Sequence, residues 1–402
     1  LTRFFWANFF SLLLVFVAIA QWVCAAWLLG SLAGVSFPPW LHFVGPGSIY
    51  LLNRLIVARP LPRAGAGLTA RRAYTGVAFT CVFALMFLVV SGAAWSVLWS
   101  VLYATGLVGT VVAPETYGLV VRVGGTTVLV GVAAIMAWGY GIGARHLWVN
   151  RMELPIAGLD DSFDGKTIAQ ISDIHLGQFM TAERIGGYVD NVNALDADMI
   201  MITGDITDGL HHAHETFPVL GRLHARMGVY AILGNHDVAT GASDVVDALH
   251  THTDFTVLCD DTVAITEDGV GFDLIGLMDR GRDWARGLRE SEILADLWDS
   301  ADRERPKVVL SHRPDLFQHA ADLGVGLVLS GHTHGGQLSL PVGRRRRASI
   351  ARFMTRYPRG TYKDGDSWLH VNLGLGVTGQ PVRVATPREI TLITLRSGQP
   401  AA

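Results

Sequence analysis

Apolar and polar positions alternate in two different ways along this chain. Through residue 150 the apolar positions form long unbroken runs; from residue 151 onward they form short runs separated by polar clusters. The first uncharged run, residues 4–29, exceeds the roughly 20 residues needed to cross a bilayer. It is also longer than the roughly 7–15 residue apolar region of a cleaved signal, so a retained span is expected. A second run, residues 40–57, is interrupted by Gly45-Pro46-Gly47 and ends on Asn53-Arg54, which predicts a kinked or interfacial segment. Residues 73–114 carry no charge and are too many for one perpendicular helix, so one long span or a tight hairpin is expected there. Residues 119–142 supply the last candidate, giving about four spans.

The second texture reads as alternating strands and helices. Leu154-Pro155 ends any helix continuing from the apolar half, and residues 160–165 form a turn-rich linker. Strand candidates are residues 167–171, 199–203, 229–233, 272–276, 307–310, 327–329, 368–371 and 390–395. The expected organisation is an all-α transmembrane domain over residues 1–150 followed by an α/β domain over residues 151–402.

Charge sharpens this division. Residues 1–150 hold eight arginines, no lysine and one acid, Glu115, a net of +7 that leaves −10 for the remainder of a chain at −3. Eight of the eleven tryptophans also lie there, as expected for rings that settle at membrane interfaces. Arginine is concentrated between Arg54 and Arg72 and recurs at Arg145 and Arg151. By the positive-inside rule both zones should share the cytoplasmic side, with an even number of spans between them and the α/β domain in the cytoplasm. Cys24, Cys81 and Cys259 form no spacing that would build a disulfide framework or a thiolate metal site.

Chemistry gathers where strands end. Ser172-Asp173-Ile174-His175 follows the run through Ile171, and residues two apart on an extended backbone project to one side, so a carboxylate and an imidazole converge. Gly204-Asp205 follows the run ending at Thr203; an acid beyond a buried strand is costly unless paired or bound to metal. Gly234-Asn235-His236-Asp237 follows the run ending at Leu233: an amide oxygen suits a metal, and His236 beside Asp237 has the look of a histidine oriented for proton chemistry. Ser311-His312 follows Leu310, and Gly331-His332-Thr333-His334-Gly335-Gly336 follows the run 327–329. Two imidazoles one residue apart on a loop can serve two neighbouring ions. Core packing has no reason to repeat such clusters at five strand ends. In open α/β sheets the loops beyond the strand carboxyl ends are where ligands bind.

These five blocks, in this order, resemble the calcineurin-like metallophosphoesterase superfamily. The likeness is closest to its membrane-attached bacterial branch, judged by residues 170–177, residues 331–337 and the tail 374–383. The resemblance implies a four-layer sandwich, two β-sheets flanked by helices, with a dinuclear centre in the loops at one edge. It assigns Asp173, His175 and His334 to one metal, Asn235, His312 and His332 to the other, and Asp205 to both. His236 would sit off the metals near the phosphate, with Asp237 tuning it. Mixed oxygen and nitrogen donors without thiolate suit Mn, Fe, Zn, Co or Ni. Two such ions can generate a bridging hydroxide that attacks a phosphodiester, pyrophosphate or phosphomonoester.

The expected function is therefore a membrane-anchored phosphoesterase acting on a lipid-linked or nucleotide-linked substrate, with no nucleic-acid partner. Its alternatives are a receptor-like protein whose phosphoesterase domain mainly binds ligand, or a protein phosphatase. His211, His212 and His214 read as a solvated loop at the site rim, Asp208 as a turn-former or outer partner, and His250, His252, His319 and His370 as ordinary surface or core residues. The run Arg344-Arg345-Arg346-Arg347 reads as a solvated face or as a contact to anionic lipid or phosphorylated substrate.

Overall fold

A computed structural model describes residues 2–58, 66–111, 113, 115–280, 288–342 and 346–398. Arg59, Arg63, Arg344 and Arg345 lie outside the described residues. The chain separates into two compact units, Leu1–Trp138 and Gly139–Ala402.

The first unit is helical: α1 (Thr2–Ala33), α2 (Leu41–Ala58), α3 (Ala66–Ala104) and α4 (Thr116–Gly141), whose last turn passes into the second unit. Among the described residues, three stretches are long and apolar enough to cross a membrane: Ser11–Ala33, Thr69–Ala104 and Thr116–Arg145. Residues 73–104 of the uncharged stretch thus lie in one long helix, α3. Helix α2 carries Pro46 within it and is not among the three. Cys24, Ala84 and Leu129 form a small core between α1, α3 and α4. A buried polar chain joins the first three helices: Tyr74 donates to Asn53 (2.7 Å), and Asn53 donates to Gln21 (2.9 Å). Without water to compete for them, such groups must pair across helices.

The second unit is built from β1 (Leu147–Ala157), β2 (Thr167–Ile171), α5 (Ala182–Asn193), β3 (Met199–Thr203), α6 (Ala213–Leu220), β4 (Val229–Ile232), α7 (Asn235–His252), β5 (Thr256–Leu258), β6 (Asp261–Glu267) and β7 (Val270–Leu277). It continues through α8 (Leu288–Ser300), β8 (Lys307–Ser311), α9 (Phe317–Asp322), β9 (Leu327–Ser330), β10 (Ser339–Val342), β11 (Arg346–Ser349), β12 (Gly360–Asp364), β13 (Ser367–Val371) and β14 (Arg388–Gly398). One six-stranded sheet has the order β1-β14-β2-β3-β4-β5, the other β12-β13-β9-β8-β7-β6, and β10 and β11 form a separate ribbon.

Side-chain alternation makes the four layers. On β3, Met199 and Met201 point into the core between the sheets, where they meet Leu274, Val308, Leu310, Leu327 and Leu329 of the opposite sheet. Ile200 and Ile202 point the other way, onto Ile185, Val189, Phe217 and Leu249 of the covering helices. The second sheet turns Val309 and Val328 outward onto Leu294 of α8 and Phe317 and Ala320 of α9. Each fully buried aliphatic side chain in these layers contributes about 1.5–3 kcal/mol.

No helix runs through Leu154-Pro155, as expected, but the chain there is not a break. Residues 147–157 form an edge strand parallel to β14, in register from Leu147↔Arg388 to Ala157↔Gly398. Proline stops a helix but is tolerated at a sheet edge, where its missing N–H has no ladder partner to serve. The Pro155 carbonyl accepts a hydrogen bond from the Trp368 indole (2.9 Å). Strands β2, β3 and β4 run parallel, as do β7, β8 and β9. Their carboxyl ends carry the five polar blocks.

Candidate metal centre

The loops after β2, β3, β4, β8 and β9 meet at one edge of the two sheets. Five of their polar residues, Asp173, His175, Asp205, His332 and His334, adopt left-handed backbone conformations with φ between 48° and 67°. A non-glycine residue in that region costs on the order of 1–3 kcal/mol and persists only where its surroundings dictate it. Glycines make room for the convergence. A Cβ on Gly331 would overlap the side chains of Ser172 and Asp173, and one on Gly234 would overlap Asp205.

Among the described residues three groups of donors result; His175, Asp208 and His236 make one, and two more hold most of the buried donors. Asp173, His175 and His334 form one, with His334 Nε2 3.4 Å from Asp173 Oδ1 and 3.1 Å from His175 Nε2. Asp205, His312 and His332 form the other, with His312 Nε2 3.2 Å from Asp205 Oδ2 and 3.3 Å from His332 Nδ1. Asp205 Oδ2 also lies 3.7 Å from His175 Nε2, so one carboxylate oxygen faces both groups. The Asn235 side-chain oxygen, at the start of α7, is buried without a hydrogen-bond partner.

The ring orientations fit cation binding. His175 Nδ1 is 2.7 Å from Asp208 Oδ1, and His312 Nδ1 is 2.7 Å from the Thr203 carbonyl. Each outer nitrogen donates its hydrogen there, which leaves the Nε2 lone pair directed inward, the arrangement that orients histidines in metal sites. The Nε2 atoms of His175 and His334 face each other at 3.1 Å, a spacing that suits two donors to one cation. Together with the orphaned Asn235 oxygen, the donor set fits two divalent cations.

Electrostatics point the same way. Burial pushes His332 down to about 3, helped by His312 and Arg313, and burial with His175 and Arg383 holds His334 well below its ordinary range. Both rings are thus neutral and available as donors. Burial also disfavours charge on His312, but Asp205 outweighs it and raises the ring to about 10. Burial acts against ionised Asp205 as well, yet His312 and His175 hold it well below the carboxylate range, while burial raises Asp173. His312 and Asp205 would hold a cation only with the His312 ring neutral, so binding there would be favoured by rising pH.

The pairing of His236 with Asp237 is corrected. Asp237 is fully buried and accepts from the backbone N–H groups of Gly234 (2.9 Å), Ile206 (3.0 Å) and Thr207 (2.9 Å), binding the β3 and β4 loops together. Burial and the nearby Asp205 raise it to about 6. The carboxylate that meets His236 is Asp208, whose Oδ1 lies 2.8 Å from His236 Nδ1 and 2.7 Å from His175 Nδ1. Burial opposes the charge on Asp208, but these two rings lower it to about 2, and the hydrogen bond to Asp208 raises His236. One oxygen thus orients both an inward-facing donor and His236, which groups with His175 and Asp208 but not with His334 or Asp205. His236 borders an open cavity of about 550 Å³ lined also by Asp208, Gly209, Leu210, His211, Ala239 and Thr240.

Among the other histidines, His211 lines this cavity, while His212 and His214 lie near Glu215 (3.8 and 3.6 Å). His370 is a core residue, hydrogen-bonded to Thr361 and Thr391. Residues absent from the sequence-derived set also touch the donors. Thr378 Oγ1 lies 2.9 Å from His334 Nε2 and 3.2 Å from His175 Nε2, and the buried Arg383 approaches His334 Nδ1 at 3.3 Å. Both sit in the tail whose glycines and Arg383 carry part of the family resemblance but which contains no acid, cysteine or histidine.

A family model for calcineurin-like phosphoesterase matches residues 166–336. An uncharacterized metallophosphoesterase of Bacillus subtilis, YkuE, is 33% identical over 268 residues, covering 64% of this chain and 90% of the relative. The chain belongs to the calcineurin-like metallophosphoesterase family. A transmembrane protein with metallophosphoesterase domain from Danio rerio is 29% identical over 283 residues, covering 67% of this chain and 62% of that protein. The uncharacterized metallophosphoesterase Cj0846 of Campylobacter jejuni is 30% identical over 235 residues, 57% of this chain and 59% of its own. The match thus spans about three fifths of the length of the last two. As a member of this family, the chain is a metal-dependent phosphohydrolase with a four-layer α/β sandwich.

Proposed function

We propose that this chain is a membrane-anchored, two-cation phosphoesterase that cleaves phosphodiester or pyrophosphate bonds of a lipid-linked or nucleotide-linked substrate. The observation that carries the two-cation reading is Asp205 Oδ2, which faces His312 Nε2 at 3.2 Å and His175 Nε2 at 3.7 Å. In this reading Asp173, His175 and His334 hold one cation, Asn235, His312 and His332 hold the second, and Asp205 serves both. When bound, a pair of divalent cations lowers the pKa of water and neutralises charge on the phosphoryl oxygens.

The chain's own residues supply the rest. His236, charged more readily because Asp208 accepts from its Nδ1, presents its other face to the cavity and gives a proton to the leaving-group oxygen. Asp208 steadies the ring before and after that transfer. Asp237, by tying the amides of Ile206, Thr207 and Gly234, keeps Asp205 and Asn235 in register.

Anchoring is supported by the three long apolar helices and by the relative described as a transmembrane protein with a metallophosphoesterase domain. That helices and phosphoesterase share one chain is the ground for a lipid-linked substrate. In detergent with Mn, a phosphodiester or pyrophosphate carrying a lipid chain should show a higher kcat/KM than its water-soluble analogue. Equal values would remove the reason for linking membrane and substrate, and faster cleavage of a monoester would replace the bond type proposed.

The arginine-rich zones flank α3 and α4, an even number of apolar helices, which supports a cytoplasmic phosphoesterase unit. A cysteine introduced at Ser162, with Cys259 replaced, should resist a membrane-impermeant thiol reagent until cells are opened. Ready labelling of intact cells would put the unit outside.

A further inference from the structure

The tail after β13 is wrapped onto the donor loops by contacts that its sequence does not advertise. Leu375 N donates to the Ser172 carbonyl (2.9 Å) and Gly376 N to the Asp173 carbonyl (2.6 Å). A Cβ on Gly376 would overlap the carbonyls of Asp173 and Ile174, so only glycine allows this approach. Arg383, fully buried, donates to the carbonyls of Leu373, Gly374 and Gly376, which holds the loop closed from behind.

Gln337, just past the His332-Thr333-His334 block, then grips the tail at two points. Its Nε2 donates to the Thr378 carbonyl (2.8 Å), and its Oε1 accepts from Thr378 N (2.9 Å). A side-chain amide that satisfies both backbone groups of one residue fixes that residue's orientation. The Thr378 hydroxyl is thereby aimed between two rings, 2.9 Å from His334 Nε2 and 3.2 Å from His175 Nε2, themselves 3.1 Å apart.

Donors that share one cation at about 2.0–2.2 Å, in tetrahedral or octahedral array, stand roughly 2.9–3.5 Å apart. The three atoms form a triangle with sides of 2.9, 3.1 and 3.2 Å. We infer that Thr378 Oγ is a further oxygen donor to the cation of the Asp173–His175–His334 group, set in place by Gln337. This rests on the reading that the two donor groups hold two cations. It gives that half a neutral, hard oxygen alongside its carboxylate and imidazoles, a donor suited to Mn, Fe or Co.

The test uses the full chain in detergent, stripped with chelator and titrated with Co(II) while bound cobalt and the visible spectrum are followed. The unmodified chain should bind two equivalents. Thr378→Val should keep one equivalent unchanged, bind the other about ten-fold or more weakly, and alter the visible bands. Thr378→Ser, which keeps the hydroxyl, should restore affinity and spectrum, and Gln337→Ala should reproduce the Thr378→Val change in weaker form. If Thr378→Val binds both equivalents with unchanged affinity and spectrum, the assignment is overturned, even where turnover falls. Failure of the unmodified chain to bind a second equivalent would overturn the two-cation reading itself, and is read from a different sample.

Discussion

Asp205→Asn should bind less than one cation per chain and lose turnover by on the order of 10³-fold or more, beyond the roughly 10–100-fold typical when only an outer partner of a metal ligand is removed. The expectation follows from where Asp205 Oδ2 stands, 3.2 Å from His312 and 3.7 Å from His175, each in a different donor group. Asparagine replaces one oxygen by an NH₂ group and removes the negative charge, so neither half keeps its anionic donor. The fold should survive, because the other oxygen can still accept the His236 N–H, now at 2.8 Å. Elemental analysis and circular dichroism on one sample separate the effects. Equal metal content and turnover in the variant would end the assignment of Asp205 to both cations.

His236→Ala should behave in the opposite way. Its ring meets Asp208 and joins a group with His175 and Asp208, but lies outside the two groups that contain Asp205 or His334, to which the two cations are assigned. Two cations per chain should remain, while kcat falls by about 10²-fold or more, the range for a lost acid–base group. Asp208 loses one of its two ring partners but keeps His175, so the donor geometry should hold. Metal content falling in parallel with rate would show that His236 acts through the cations rather than on the leaving group.

The residues that gather at this edge were readable from the sequence because each follows a short apolar run that becomes a strand. Such a run fixes the direction in which the next few residues emerge. Eight strands were located this way, five with a donor at the end. What escaped the reading has physical causes. Strand β1 contains Pro155, and only its place at the sheet edge makes that proline harmless. Strands β6 and β12 expose alternate positions and end their sheet, so their apolar content is too low to stand out.

Pairings across loops were the least legible. Asp237 adjoins His236 in sequence, yet helix α7 begins there and turns the two side chains apart, and the ring finds Asp208 instead. Gln337 and Thr378 are 41 residues apart and pair through a backbone contact that leaves no local pattern. The long apolar segment α3 was ambiguous between one helix and two, because length alone cannot place a turn.

The central claim, a phosphoesterase whose activity requires two cations between the strand-end loops, is tested most directly by one titration. The full chain, stripped with chelator, is reloaded with Mn while bound Mn and hydrolysis of bis(4-nitrophenyl) phosphate are measured together. Two bound equivalents are expected, with a rate that rises to its maximum only with the second and returns to baseline when chelator is restored. A stripped chain that hydrolyses at the full rate, or a maximum reached with a single equivalent bound, would contradict it.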